Sequence, residues 1–450
     1  MEKKLSLSSY VLVGSLLFGL FFGAGNLIFP VHMGQEAGSS VFIATLGFLI
    51  TAIGLPFLGV VAIGVSQSSG LFELSSRVHA IYGYGMTLLL YLTIGPFFAL
   101  PRTCTVSYEI GFSPVIPESY RTLGLLIFTL LFFLAALFFS LRPSHILDWV
   151  GKILNPLFLL FLAFLVIASF VHPMGIASGA EVQSSYTTTP FFKGFLEGYN
   201  TMDALASLAF GIIVVQALKN LGVTSSRGLA LGTIKAGAVS IVLMGCIYAC
   251  LAYIGSTSLA QFSLSSNGGI ALSQVAKYYF GSWGSLLLAL IVTFACLKTA
   301  IGLITACAET FKTIFPKLLG YKGYVIIFTV VSALIANVGL TEIISLSIPV
   351  LMFLYPLAIS LIILGLLSPL FHNRQCVYVL TTGCVFLVSI GAFLQALPAT
   401  FGQIPIVQGA LSFFHTYVPF FSLGMGWVVP LLVGLSVGWL ISLVTKPKKK

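Results

Sequence analysis

The sequence predicts an all-α, polytopic membrane protein of about twelve transmembrane helices, arranged as a five-plus-five inverted repeat with two extra helices. Three observations predict it. Of 450 residues, 58% are hydrophobic and only 7% are charged, with a mean hydropathy of +1.09, whereas soluble chains carry roughly 25% charged residues. Apolar runs long enough for the roughly 20 residues of a bilayer span recur along the whole chain. Two polar or glycine-rich interruptions, at 23–26 and 199–203, each fall in the first span of what read as two halves.

In order, the spans are read at 8–34, 40–65, 84–108, 121–141, 146–170, 193–218, 229–256, 283–312, 323–338, 343–368, 375–396 and 421–444. The ninth is short, and its border with the tenth is open near Asn337. Five spans precede the hydrophilic segment 171–192 and five follow it before the eleventh. An odd number per half inverts the second half relative to the first. The organisation is therefore a first repeat at 1–170, an extracellular linker at 171–192, a second repeat at 193–370, and two extra helices with a basic tail at 371–450. The interrupted helices are then helices 1 and 6. No literal repeat is visible, so the symmetry rests on span counting and on the two breaks. The loop 257–282 reads as helical in its second half, with Ile270, Leu272, Val275, Tyr278 and Tyr279 on one side. It is either a cap on the outer vestibule or an interfacial helix.

The net charge of +10 reflects membrane topology and not nucleic-acid binding. With a cytoplasmic N-terminus, 16 of the 21 basic residues fall inside: Lys3, Lys4, Arg77, Arg142, Lys152, Lys219, Arg227, Lys235, Lys312, Lys317, Lys322, Arg374, Lys446, Lys448, Lys449 and Lys450. Arg102, Arg121, Lys193 and Lys277 lie at or near the outside, and Lys298 lies within a span. This asymmetry orients both termini to the cytoplasm. The apolar run after Lys4 is too long for a secretory signal and lacks a small-residue cleavage site, so it reads as a retained helix. The seven cysteines lie almost wholly in apolar segments without metal or disulfide spacing. No Walker-type loop, zinc motif or nucleophile elbow is present. The chain therefore reads as neither an ATP-driven pump nor an enzyme, with no cofactor.

A backbone break at membrane depth is tolerated only where it is buried in protein or lines a cavity. Paired breaks in corresponding positions of two halves point to a transporter's substrate site. At the first, Gly23, Ala24 and Gly25 permit unwinding. Freed N–H groups at a half-helix start bind an anion such as a carboxylate, and freed carbonyls bind a cation. Asn26 adds one acceptor and two donors. The plainer reading is close packing of small residues between helices. At the second, Asp203 lies in the middle of a span, at a cost of roughly 3 kcal/mol on insertion scales. It stands where a half-helix restarts, either as its N-cap or as a contact for a substrate ammonium or coupling ion. Asn200 and Thr201 offer oxygens, and Tyr199 and Met202 offer apolar walls. Lys298, midway along span eight, needs a partner; Asp203, Glu309 and the carbonyls of helix 1 are candidates. A lysine there can substitute for a bound cation or exchange a proton. Arg102 and Glu109, seven residues apart, share a helix face as a structural pair or an outer gate.

Four stretches together resemble the branched-chain amino acid:cation symporter family of bacteria: FGLFFGAGNLIFP (Phe18 to Pro30), GPFFALPRT (Gly95 to Thr103), GYNTMDALASLAFG (Gly198 to Gly211) and ACLKTAIGLITACAETF (Ala295 to Phe311). That family is similar to the amino acid–polyamine–organocation superfamily. The resemblance implies import of leucine, isoleucine and valine across the inner membrane, usually with sodium. It implies that 23–26 and 199–203 hold the amino acid's carboxylate and ammonium. It also implies a sodium between carbonyls of helix 1, near Gly23, and two hydroxyls on helix 8. There the family resemblance leads one to expect Thr-Thr, and this chain has Lys298-Thr299. A lysine ammonium could fill the sodium position, which leaves a proton-coupled or uncoupled carrier of neutral amino acids, methionine included, as the alternative. Asn200 stands where an apolar residue is expected and could alter specificity.

Overall fold

The computed structural model describes residues 6–114, 116–141, 155–223, 225–398, 401 and 404–444, and these contain helices and no strand. Span one is α1 (Leu7–Phe21) followed by α2 (Ala24–Ala37). Span two is α3 (Val41–Leu49) and α4 (Leu55–Ser66), joined by a π-turn. Span three is α5 (Ala80–Leu92) and α6 (Ala99–Gly111). Spans four and five are α7 (Arg121–Ser140) and α8 (Asn155–Val171). Span six is α9 (Pro190–Glu197) and α10 (Asp203–Asn220). Spans seven to ten lie in α11 (Ser226–Ser258), α12 (Gly268–Ile314), α13 (Tyr321–Ala336) and α14 (Leu340–Leu367). Span eleven is α15 (Gln375–Gln395), and α16 (Pro405–Tyr417) leads into span twelve, α17 (Val428–Val444). Among the described residues, seven helical stretches are long and apolar enough to cross a bilayer by themselves, and the other spans are broken or shorter apolar helices.

Three features refine the expected elements. The border between spans nine and ten is a turn ending at Gly339, whose φ of 99° excludes most side chains. The loop at 257–282 is a cap: α12 begins at Gly268, bends at Gly281 (φ 62°) and continues as span eight. Ala271, Leu272 and Val275 of its outer arm are buried against the bundle, while Tyr278 turns away and is exposed. Span three carries a break that the span reading does not anticipate, at Gly95-Pro96, where Gly95 is non-helical (φ −97°, ψ −122°). Proline removes a helical hydrogen bond and crowds the preceding turn.

Lys3, Lys4, Arg142, Lys152, Lys446, Lys448, Lys449 and Lys450 lie outside the described residues, as do 146–154 of span five. Among the described residues, the Arg77 guanidinium donates to Asn373 Oδ1 at 2.6 Å. The Lys235 ammonium lies 5.7 Å from the Tyr10 ring centroid. The loops after spans two and ten therefore meet, and the early parts of spans one and seven lie together.

The inverted repeat is visible in the packing. Span one packs along span seven, and span six packs along span two. Span three meets eight and nine, and span eight also meets four. Exchanging spans one to five with six to ten leaves this pattern unchanged. Close backbone approaches join both the one–seven and the six–two pairs. A Cβ on Gly34 of α2 would sit 2.0 Å from the Ala252 carbonyl oxygen of α11, and one on Gly255 would sit 2.0 Å from that of Val31. Between spans six and two, a Cβ on Gly194 of α9 would sit 1.9 Å from the Ala44 oxygen of α3, and one on Gly47 would sit 2.0 Å from that of Phe191. Small residues that let backbones touch are the membrane solution to helix association, since lipid offers no hydrophobic driving force between helices.

Candidate functional site

The site forms where the two broken spans face each other. In span one the chain leaves α1 at Phe22 and runs extended through Gly23 (φ −131°, ψ −164°). The helix restarts at Ala24, and no side chain caps its first turn. The first N–H groups of a helix have no partner within it, so those of Ala24, Gly25 and Asn26 are left to face whatever occupies the break. The carboxamide of Asn26 reaches back instead, and its Oδ1 accepts from the Gly23 N–H at 2.8 Å. In span six, α9 tightens into a 3₁₀ turn at Gly198–Thr201. Met202 then adopts a left-handed conformation (φ 61°, ψ 9°), and α10 begins at Asp203 without a side-chain cap.

Asp203 is therefore the first residue of the half-helix and not its cap. Its Oδ2 accepts from Asn26 Nδ2 at 2.6 Å, and the same Nδ2 donates to the Tyr248 hydroxyl of α11. Asn26 thus ties together both breaks and span seven, and Asn26, Asp203 and Tyr248 are all buried. The breaks approach closely, since a Cβ on Gly25 would lie 3.6 Å from Thr201 Cα.

Arg102 of α6 enters the same junction. Its Nη1 donates to the Asn200 carbonyl at 2.8 Å and its Nη2 to Met202 Sδ at 2.9 Å. A cation beside the carbonyl end of a half-helix complements the helix dipole. The guanidinium also lies 5.2 Å from the Phe29 ring centroid. No ion pair joins Arg102 to Glu109, which corrects the expected pairing. Seven residues advance roughly 10 Å along a helix, and Arg102 turns toward span six.

Between these elements lies a cavity. Its lining combines the two half-helix starts, Asp203, Thr201 and Arg102 with the apolar side chains of Phe21, Ile94, Ala99, Ala206, Phe210 and Leu303. Thr299 of α12 completes the wall beside the first break, its side chain 3.6 Å from a Cβ placed on Gly23. A second cavity lies between α2, α9, the start of α12 and α14. Phe29, Glu36, Glu197 and Asn200 line it.

With that geometry in hand, sequence comparison is decisive. The family described as branched-chain amino acid transport protein matches residues 6–445. The chain belongs to that family. Its relatives include the branched-chain amino acid permease BrnQ of Lactobacillus delbrueckii subsp. lactis, 48% identical over 100% of both chains. BrnQ of Bacillus subtilis is 43% identical over 98% of this chain and 99% of its own. The branched-chain amino acid transport system 2 carrier protein of Pseudomonas aeruginosa is 38% identical over 94% and 93%. Among solved structures, inward-facing Mhp1 covers 99% of this chain and 95% of its own at a TM-score of 0.59 and 15% identity. The manganese transporter of Eremococcus coleocola covers 98% of each at 0.60 and 13%. At such identities the likeness shows the fold. The chain is a membrane transporter and not an enzyme.

Of the residues singled out in the sequence, this member of the family brings Gly23, Ala24, Gly25, Asn26, Thr201, Met202, Asp203, Thr299 and Arg102 onto one cavity. Tyr199 is absent from its wall and stacks on Tyr355, with ring centroids 3.9 Å apart at 13°. Asn200 lends its carbonyl to Arg102 but lines the second cavity. Lys298 is only partly buried and off the cavity wall, without a hydrogen bond or ion pair to Asp203, Glu309 or helix 1 among the described residues. Tyr248 and the wall from span three were not anticipated. Gly95-Pro96 is the signal that could have pointed to Ile94 and Ala99; for Tyr248 a lone hydroxyl in an apolar helix is no signal.

Proposed function

We propose that this transporter imports leucine, isoleucine and valine across the bacterial inner membrane by alternating access, coupled to sodium. The observation that carries the reading is a cavity lined both by the polar groups of the two helix breaks and by aliphatic and aromatic side chains. The substrate's carboxylate meets the N–H groups of Ala24, Gly25 and Asn26. Its ammonium meets Asp203 and the carbonyls released at the end of α9. Its branched side chain packs on Phe21, Ile94, Ala206, Phe210 and Leu303. The names of the relatives support the same substrates. The sodium lies between carbonyls at the end of α1 and Thr299, whose place beside Gly23 favours an ion there over the Lys298 ammonium. The repeats, 1–170 and 193–370, rock about the shared cavity with both termini cytoplasmic. Symport then requires that the half-loaded carrier reorient less readily than the empty or fully loaded one, because ligands shift a conformational equilibrium only by differential affinity.

Labelled leucine uptake into proteoliposomes tests this, comparing an imposed sodium gradient with an imposed proton gradient. Sodium alone is expected to drive uptake. Stimulation by protons alone would transfer coupling to the proton and to Lys298. No uptake under either would overturn the substrate, and methionine would be tried next. Lys298→Thr is expected to leave the ion dependence unchanged. Thr299→Ala removes one oxygen ligand and is expected to raise the sodium requirement roughly tenfold, the equivalent of about 1.4 kcal/mol.

The apolar wall makes a separate prediction. Each methylene in an apolar pocket is worth about 1–3 kcal/mol of discrimination. Ala206→Leu adds three carbons to the space for the side chain, so leucine uptake is expected to fall by about tenfold or more relative to alanine. Competition between the two substrates reads this directly, and an unchanged ratio would remove Ala206 from the side-chain pocket.

A further inference from the structure

Arg102 is 3% exposed and carries a full charge. Burying an ammonium or guanidinium without a counter-ion is costly, yet no carboxylate lies within ion-pair distance of it among the described residues. A guanidinium has five N–H donors in a planar fork. Two of the hydrogen bonds that fork can make are used, one to a carbonyl oxygen and one to a thioether sulfur, a weak acceptor. The remaining donors belong to a side chain on the wall of the central cavity, beside the uncapped start of α2. The Phe29 ring beneath it lines the second cavity, so the guanidinium sits in the partition between the two.

We propose that Arg102 is a specificity-determining residue whose unused N–H donors take one oxygen of the substrate's carboxylate. The other oxygen lies against the N–H groups of α2. The bound amino acid is then the missing counter-ion, and a substrate without a carboxylate leaves the charge buried and unpaired. This inference rests on the central cavity being the amino acid site.

The test uses the purified full-length protein in detergent, with labelled leucine displaced by leucine or by leucinamide, which keeps the side chain and ammonium but has a neutral amide. Wild type is expected to prefer leucine strongly. Arg102→Gln is expected to weaken leucine more than tenfold and leucinamide little, so that the preference collapses by about the same factor. Arg102→Lys keeps the charge but loses the fork, and is expected to retain an intermediate preference. An unchanged preference in either variant would overturn the proposal, because a residue that merely holds span six would weaken both ligands equally. If Arg102→Gln fails to elute as a folded species, the Arg102→Lys comparison decides alone. Absence of leucine binding in wild type would instead overturn the substrate reading.

Discussion

Asn26→Ala is expected to abolish transport while leaving the protein in the membrane. The side chain accepts from Gly23 and donates to Asp203 and Tyr248, so it serves three elements at once. Alanine would leave the Asp203 carboxylate buried without its 2.6 Å donor and the Gly23 N–H without its acceptor. Each unsatisfied buried group costs about 1–3 kcal/mol, so a loss of roughly 3 kcal/mol, or about two orders of magnitude in the population of the competent site, is expected. Asn26→Asp is expected to be equally inactive, since it sets two carboxylates against each other. Combined with Asp203→Asn, the same exchange restores one acceptor facing one donor, and uptake should partly return. Such non-additivity marks groups in direct contact. Uptake near wild type for Asn26→Ala would show that the two breaks hold their geometry without this link.

The second large effect is structural. Gly34→Ala and Gly194→Ala each place a methyl about 2 Å from a backbone carbonyl of the partner helix, far inside contact distance. Backbone cannot swing aside as a flexible side chain can, so the helix pair must separate. Overpacking of this kind costs typically 1–3 kcal/mol and more when backbone must move. Both variants are expected to lose most of their folded yield and thermal stability in detergent, because each added carbon meets partner backbone. Gly302→Ala, with open space around its added carbon, is the control and should be neutral or slightly stabilising. Wild-type stability in either variant would mean that its helix pair does not depend on that close approach.

Much of the site was legible because each break violates the apolar pattern of its span. Gly23-Ala24-Gly25-Asn26 and Asn200-Thr201-Met202-Asp203 stand out against lipid-compatible sequence, and the cost of exposing backbone or charge to hydrocarbon leaves little else for them to do. Arg102 was visible as a charge but its partner was not. Glu109 shares its helix and was the nearest guess, whereas the Asn200 carbonyl that it binds lies 98 positions away. The role of Asp203 was misjudged in part because an N-cap needs only local sequence, while the bond it makes to Asn26 spans 177 positions.

By itself the sequence determined that the chain is a membrane protein, roughly where its spans lie and that spans one and six are broken, because hydropathy and backbone solvation act over a single helix. Tertiary structure decided the rest. Lys298 and Thr299 are adjacent in sequence but about 100° apart around the helix, and only the packing of α12 against the first break puts the threonine on the cavity and leaves the lysine off it. Tyr248 joins the site for the same reason: the glycine contacts of α2 and α11 bring spans one and seven within reach of each other. Which face of a helix meets which neighbour depends on contacts far apart in the chain, and no local property of the residues encodes it.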